Sequence, residues 1–486
     1  MTVTRRQALR LFGVTAALSV SGCSLLGRTP LPRLLASSAP LPTPYTVPLP
    51  LPAVAKPYRT DATADYYELV QRTAEVEILP GLRTPIWGYD GQFPGPTIRA
   101  RSGRRTVVRV ANKLGAPTVT HLHGGHTPPE SDGYPTDLVQ PGAHRDYVFP
   151  LEQRAATLWY HDHRMDYTGP QVWRGLAGFF LVVDDEEKAL PLPSGERDVP
   201  LMICDRSFGP DGTMPYPVRN DGPGAGEAFM GGVLGDVILV NGAPWPQLGV
   251  DRARYRLRFL NGSNARTYEL ALSPPGKLVR IGGDGGLLAE PQTVDRIRLA
   301  PGERVEAVVD FAAYRVGDHV ELRNLAGEGA QARVMRFTVE RDAQDDSAVP
   351  ATLSRVERLD PDRAVVTRDF EFTSGNMHGH TGWMINGKPF DARRVDARPK
   401  LGDIEIWRLT SDVAHPVHLH LAPFQVLSVG GERPSGPPEW KDTVELREAQ
   451  TVEIITRFTG YRGRYVLHCH NLEHEDMAMM STFEVV

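Results

Sequence analysis

The chain has 486 residues, 41% of them hydrophobic and 23% charged, with a formal net charge of −5. Those values describe a globular protein too long for one hydrophobic core, and they exclude a polycationic nucleic-acid binder, so no nucleic-acid partner is expected. Only three cysteines occur, Cys23, Cys204 and Cys469, which excludes a disulfide framework as the organising principle.

Read from its start, the chain opens with an address. Thr4-Arg5-Arg6-Gln7-Ala8-Leu9-Arg10 resembles a twin-arginine export signal, and the apolar stretch from Leu11 to Val20 that follows is too short for a permanent membrane span. It ends in Val20-Ser21-Gly22-Cys23, which resembles a lipobox. The expectation is therefore a signal over 1–28, a lipid anchor at Cys23, and a periplasmic or cell-surface protein. Residues 29–57 are rich in Pro, Leu and Ala, the composition of an extended spacer or strap.

Beyond residue 57 the hydrophobic pattern alternates with period two. Thr106–Val110, Tyr255–Leu260, Arg304–Asp310, Ile404–Leu409 and Thr451–Ile455 read as strands, separated by turns rich in Gly, Pro, Asn and Asp. The 42 prolines and 47 glycines fit that turn density, and no long amphipathic helix is evident. Three blocks echo one another through Arg105–Asn112, Ala253–Asn261 and Asp403–Thr410, with Asn241-Gly242 and Asn386-Gly387 as matching turns. These features predict an all-β protein of three sandwich repeats over 58–190, 191–347 and 348–486. Cys204, in Leu201-Met202-Ile203-Cys204, reads as inert packing in a buried strand.

The histidines carry the functional signal. Ten of the 15 form five His-x-His pairs: His121/His123, His161/His163, His378/His380, His418/His420 and His468/His470. Residues i and i+2 of a strand face one side, so each pair can aim two imidazoles at one point. Two of the four pairs in strand-like surroundings lie in the first block and two in the third, so eight imidazoles could converge where those blocks meet. The remaining pair, His378/His380, sits in a Gly-rich stretch and reads as a loop. His126, His144 and His319 read as surface or structural.

Imidazole alone does not choose a metal, but Cys469 narrows the choice. Lying between His468 and His470, its side chain points away from theirs. With His415 upstream, and His474 and Met479 downstream, it offers one thiolate, two imidazoles and a weak thioether, the donor set of a blue copper site.

At this point the chain resembles a known family, the multicopper oxidases, and within it the bacterial laccases of the spore-coat and bilirubin-oxidase-like branch. The resemblance runs from Pro48 to Val486. It is carried by Trp87–Gly91 (WGYDG), Phe93–Ile98 (FPGPTI), His121–Gly125 (HLHGG), Ser131–Pro135 (SDGYP), Trp159–His163 (WYHDH), His415–His420 (HPVHLH) and His468–Met480 (HCHNLEHEDMAMM). It implies three Greek-key cupredoxin β-sandwiches and four copper ions. A type 1 ion would be held by His415, Cys469, His474 and axial Met479. A type 2 ion would take His121 and His418, and a type 3 pair His123, His161, His163, His420, His468 and His470. The middle block would be copper-free and mainly structural. The resemblance also implies that Asp132 and Glu475 relay protons, which calls for carboxyl groups whose pKa burial has raised.

The activity so implied is a laccase-like oxidation of phenols or related small reductants, four single-electron steps coupled to reduction of O2 to water. Partners would be O2 and the reductant, with the protein acting as a monomer. A cuprous oxidase for copper tolerance is the alternative; Met377, Met384, Met477, Met479 and Met480 are too scattered for the Met-rich insert typical of that group. A copper nitrite reductase needs fewer histidine pairs, and a metal-free scaffold would lack the ligands.

Overall fold

The computed structural model describes residues 30–219, 224–377 and 380–486. The twin-arginine leader, Cys23 and His378 lie outside the described residues. The alternating segments fold as strands where the pattern places them, over Arg105–Asn112, Arg254–Asn261, Arg304–Asp310, Ile404–Ser411 and Thr451–Arg457. Asn241 and Gly242 take φ of 50° and 84°, and Asn386 and Gly387 of 53° and 68°. Both are the left-handed pairs that two-residue hairpins require. The longest helix among the described residues is Thr168–Arg174, seven residues long.

The larger sheets form three pairs, each drawn from one stretch of chain. Strands between Arg59 and Val183 make a five- and a four-stranded sheet, those between Asp198 and Asp342 a seven- and a five-stranded one, and those between Val366 and Val485 a five- and a four-stranded one. Within the first pair, Val108 and Val110 of one sheet meet Leu122, Tyr160 and Phe180 of the other. In the third, Trp407 and Leu409 meet Leu467 and Phe483. These are sandwiches, with inward residues alternating along each strand.

Four strands of the two four-stranded sheets matter most: β1 (Thr120–His123), β2 (Ala156–Asp162), β3 (His415–Leu419) and β4 (Gly463–Cys469). The first sandwich's sheet ends with β1 at its edge beside β2, whereas β3 and β4 are the two inner strands of the third sandwich's sheet. Two short helices accompany them, α1 (Thr168–Arg174) and α2 (Leu472–Asp476).

The middle sandwich departs from a simple inside–outside alternation. Along Arg254–Asn261 the arginines are buried as well as the apolar residues: Arg256 and Arg258 are 3% and 1% exposed. Arg258 donates to Glu306 (2.9 Å), Asp198 (2.6 Å) and Thr157 of β2 (3.1 Å). Its polar face is thus a buried ion network against the first sandwich, each charge having a partner. The Pro-rich segment is a strap rather than a free spacer. Arg33–Leu35 pairs in parallel with Val233–Gly235, and Val54 bridges to Thr97 in the first sandwich.

Candidate metal centres

Strand pairing sorts the ligands by face. In the antiparallel pair β1–β2, His121 lies opposite His161 and His123 opposite Trp159. Opposed residues share a face, so these rings point one way while Leu122 and Tyr160 enter the first core. In β3–β4, His418 lies opposite His468 and Val417 opposite Cys469. Cys469 accordingly points with Val417 into the third core, and His468 points out of it. The opposition of Cys469 and His468 expected from sequence is found. The pairs themselves are less regular: His163, His420 and His470 each stand one residue beyond the end of their strand.

One cluster forms around Cys469. Its Sγ is 3.5 Å from His415 Nδ1 and 3.6 Å from His474 Nδ1, and the two ring nitrogens are 3.0 Å apart. Asn471 caps α2, accepting from the Glu473 N–H, and so turns His474 back toward the sulfur. Met479 follows, fully buried, its N–H bonded to His474 O and its carbonyl to the Cys469 N–H. Trp383 stacks on the His474 ring at 3.7 Å.

The other eight imidazoles form a second cluster, built by the first and third sandwiches together. His123, His161 and His470 make one group and His163, His420 and His468 another, with the ring nitrogens of each group within 4.8 Å of one another. His121 Nε2 and His418 Nε2 approach to 3.4 Å between them. Nitrogens about 3.3 Å apart are what metal–nitrogen bonds of about 2 Å at tetrahedral angles produce.

Most of the rings are turned by a bond from the other nitrogen. His121 Nδ1 meets Asp132 O (2.5 Å), His420 Nδ1 meets Asp132 Oδ2 (2.8 Å), His418 Nδ1 meets Asp442 O (2.8 Å) and His161 Nδ1 meets Asp162 O (2.8 Å). His123 is reversed: its Nε2 faces Asp442 Oδ1 (3.1 Å) and Thr443 Oγ1 (3.0 Å). This outward bonding is how proteins fix the tautomer of a metal-binding imidazole.

The donor set fits a metal. His123 Nδ1, His161 Nε2 and both nitrogens of His470 are buried without a hydrogen-bond partner, an arrangement that is costly unless a cation satisfies it. Burial and the crowding of neighbouring rings depress the pKa values of His121, His123, His418, His420 and His470, and bring His161 to about 3 and His163 to about 4. These rings are therefore neutral, the form that binds metal. Burial pushes the Cys469 thiol well up; a bound cation reverses that preference, because a coordinating thiol is deprotonated.

The two acids behave differently. Asp132, fully buried, has its carboxyl pKa raised well above the usual range by burial, as expected. Glu475 corrects the expectation. Burial pushes it up, but the imidazoles of His163 (3.5 Å) and His468 (3.2 Å) outweigh that and hold it below the usual carboxylate range.

Sequence reasoning missed three residues. Thr443 begins the strand that pairs with β3, and Asp442 immediately precedes it. Asp412, 26% exposed in its side chain, contacts His415 Nε2 at 3.1 Å. Burial raises its pKa, but bonds from His415 and from the Ser374 and Val413 N–H groups bring it down to about 2. An aspartate three residues before a ligand was a legible signal for Asp412; Asp442 had none. His380 opens the strand His380–Ile385, which corrects the expected loop for that end of the pair. His144 and His319 are exposed, and His126 bonds Thr459 O (3.0 Å).

Comparison with known proteins agrees with this geometry. Two family models described as multicopper oxidase match residues 71–187 and 363–486. A laccase of Bacillus stratosphericus is 36% identical, over 90% of this chain and 98% of that one. A bilirubin oxidase of Albifimbria verrucaria is also 36% identical, over 90% and 81%. The crystal structure of a laccase from Pediococcus acidilactici superposes with a TM-score of 0.84 at 32% identity, covering 93% of this chain and 96% of that one. An all-β fold of cupredoxin sandwiches with paired-histidine metal centres defines the class, that of copper-dependent oxidoreductases. The chain belongs to the multicopper oxidase family.

The depressed imidazole pKa values set a pH dependence for the copper-free protein. Below the unfolded value of 6.5 the unfolded chain takes up protons that native His161 and His163 refuse until about 3 to 4. Stability is therefore full above pH 6.5 and falls steadily as the pH drops toward about 3. Thermal unfolding of the copper-free protein across that window checks this; a flat profile would contradict it.

Proposed function

We propose that the protein is a laccase-like multicopper oxidase that couples four one-electron oxidations of phenols or related small reductants to the reduction of O2 to water. One observation carries the reading: Cys469 belongs to one metal cluster while His468 and His470, its immediate neighbours, belong to the other. When bound, copper supplies the one-electron redox chemistry and the reduction of O2. In this assignment His415, Cys469, His474 and Met479 hold a type 1 ion, His121 and His418 a type 2 ion, and the remaining six histidines a type 3 pair. The domains run over 58–190, 191–347 and 348–486, and the protein acts as a monomer without nucleic acid.

The chain's own residues divide the remaining work. His415 is the ligand whose far nitrogen reaches a partly exposed group, Asp412, whereas His474 is covered by Trp383 and Asn471. An anionic Asp412 suits a reductant that donates an O–H or N–H there. Met477, Met479 and Met480 are buried, which leaves them poorly placed to receive Cu(I) from solvent and favours the phenolic reading over the cuprous one. A cavity of about 420 Å³ beside His121, His418 and His420 gives O2 and water room at the second cluster.

Asp132 and Glu475 have their pKa values pushed apart, the pattern by which a site separates proton donor from acceptor. Asp132 can hold a proton against His420. Glu475 stays anionic, accepts from Thr168 (2.6 Å) and orients His163 and His468.

Three measurements test the assignment. Copper analysis should give about four ions per chain, falling to about three in Cys469→Ser with loss of the thiolate-to-copper absorption and of turnover. A count of about one in the unaltered protein overturns the reading, and oxygen uptake with a phenol against Cu(I) separates the two substrate classes. Replacing Asp132 with Asn should slow O2 reduction about 100-fold or more while the thiolate copper is still reduced quickly; unchanged turnover removes this acid from the mechanism. The leader supports export by the twin-arginine route to the periplasm or cell surface with lipid on Cys23. Mass spectrometry of the membrane fraction should find a lipidated N-terminal Cys23, and an unmodified cysteine overturns the anchor.

A further inference from the structure

Among the described residues the middle sandwich contributes no ligand to either cluster, yet it reaches the larger one. Gly302, at φ +83°, lies so close that a Cβ there would stand 3.0 Å from both the His123 and His470 rings. Two residues on, Arg304 is fully buried and all five of its N–H donors have acceptors. Nε donates to Thr157 O of β2 (3.0 Å), Nη1 to Gly302 O (2.9 Å) and Asp442 Oδ1 (2.8 Å), and Nη2 to Asp284 O (3.2 Å) and Asp442 Oδ2. One guanidinium thus ties the middle sandwich to β2 of the first and to Asp442 of the third.

Asp442 is the residue that distinguishes His123 from the other rings. Its Oδ1 accepts from His123 Nε2 and its backbone oxygen from His418 Nδ1, so His123 presents Nδ1 to its group and His418 presents Nε2. The neighbouring residue is held by the same sandwich: Lys441 Nζ lies 2.9 Å from Asp284 and 3.1 Å from Glu303. A carboxylate can be oriented in this way only by a donor with fixed fork geometry, which Arg has and Lys lacks.

We propose that Arg304 is a positioning residue for the histidine cluster, setting through Asp442 which ring nitrogen His123 and His418 turn inward. The inference rests on the reading that copper occupies that cluster. A group that merely stabilises the fold would leave ring tautomers and cluster copper alone; a positioning residue would not.

The test uses Arg304→Met and Arg304→Lys in the full chain. In the copper-free protein, nitrogen-15 NMR should place the His123 proton on Nε2, and that signal should be lost or redistributed in both variants. In the copper-loaded protein, chelator competition should show cluster copper held about 10- to 100-fold less tightly, with the thiolate-to-copper absorption unchanged. Variants that keep the Nε2 proton and release cluster copper no faster than the unaltered protein overturn the inference and leave the functional reading standing. Should Arg304→Met fail to fold, Arg304→Lys, which keeps the charge and loses the fork, decides alone. An unaltered protein that takes up copper only at Cys469 overturns both.

Discussion

Successive side chains of a β-strand leave on opposite faces, and at His468-Cys469-His470 the whole architecture is arranged around that constraint. The thiol turns into the apolar core of the third sandwich, where His415 and His474 wait. The imidazoles turn outward to the seam with the first sandwich, where β1 and β2 present theirs. A shift of register by one residue would exchange the faces and dismantle both clusters at once. The pairing of Val417 with Cys469 and His418 with His468 fixes that register from the neighbouring strand.

The burial of so many polar rings has to be compensated locally. Eight imidazoles in one water-excluded seam are tolerable because most bond outward to Asp132, Asp162, Asp442 or Glu475. The same seam explains the buried charges of the middle sandwich. Arg256 and Arg258 with Glu306, and Arg304 with Asp442, lie where the sandwiches press together, so that the polar face along Arg254–Asn261 is an interface.

Much of this was legible in the sequence, for identifiable reasons. Strand periodicity, the Asn-Gly turns and the spacing within each His-x-His pair are local properties, and strands and turns followed them closely. The opposition of Cys469 to His468 and His470 needed nothing beyond the alternation of side chains. What escaped were properties of contact between distant segments. Asp442 acquires its place from the pairing with β3 of the strand that follows it and from an arginine of another sandwich. The low pKa of Glu475 comes from rings contributed by two sandwiches, so burial alone gave the wrong sign. The exits of His163, His420 and His470 from their strands depend on where the sheets end, which alternation cannot locate.

His121 and His418 approach across 297 residues of chain, and His163 and His468 across 305. A chain that lacks the third sandwich therefore holds four of the eight imidazoles and none of the thiolate site, however well its first sandwich has folded. All eight imidazoles of the larger cluster are therefore brought together only when the third sandwich closes on the first. Loss of His468, Cys469 and His470 would remove ligands from both clusters at once.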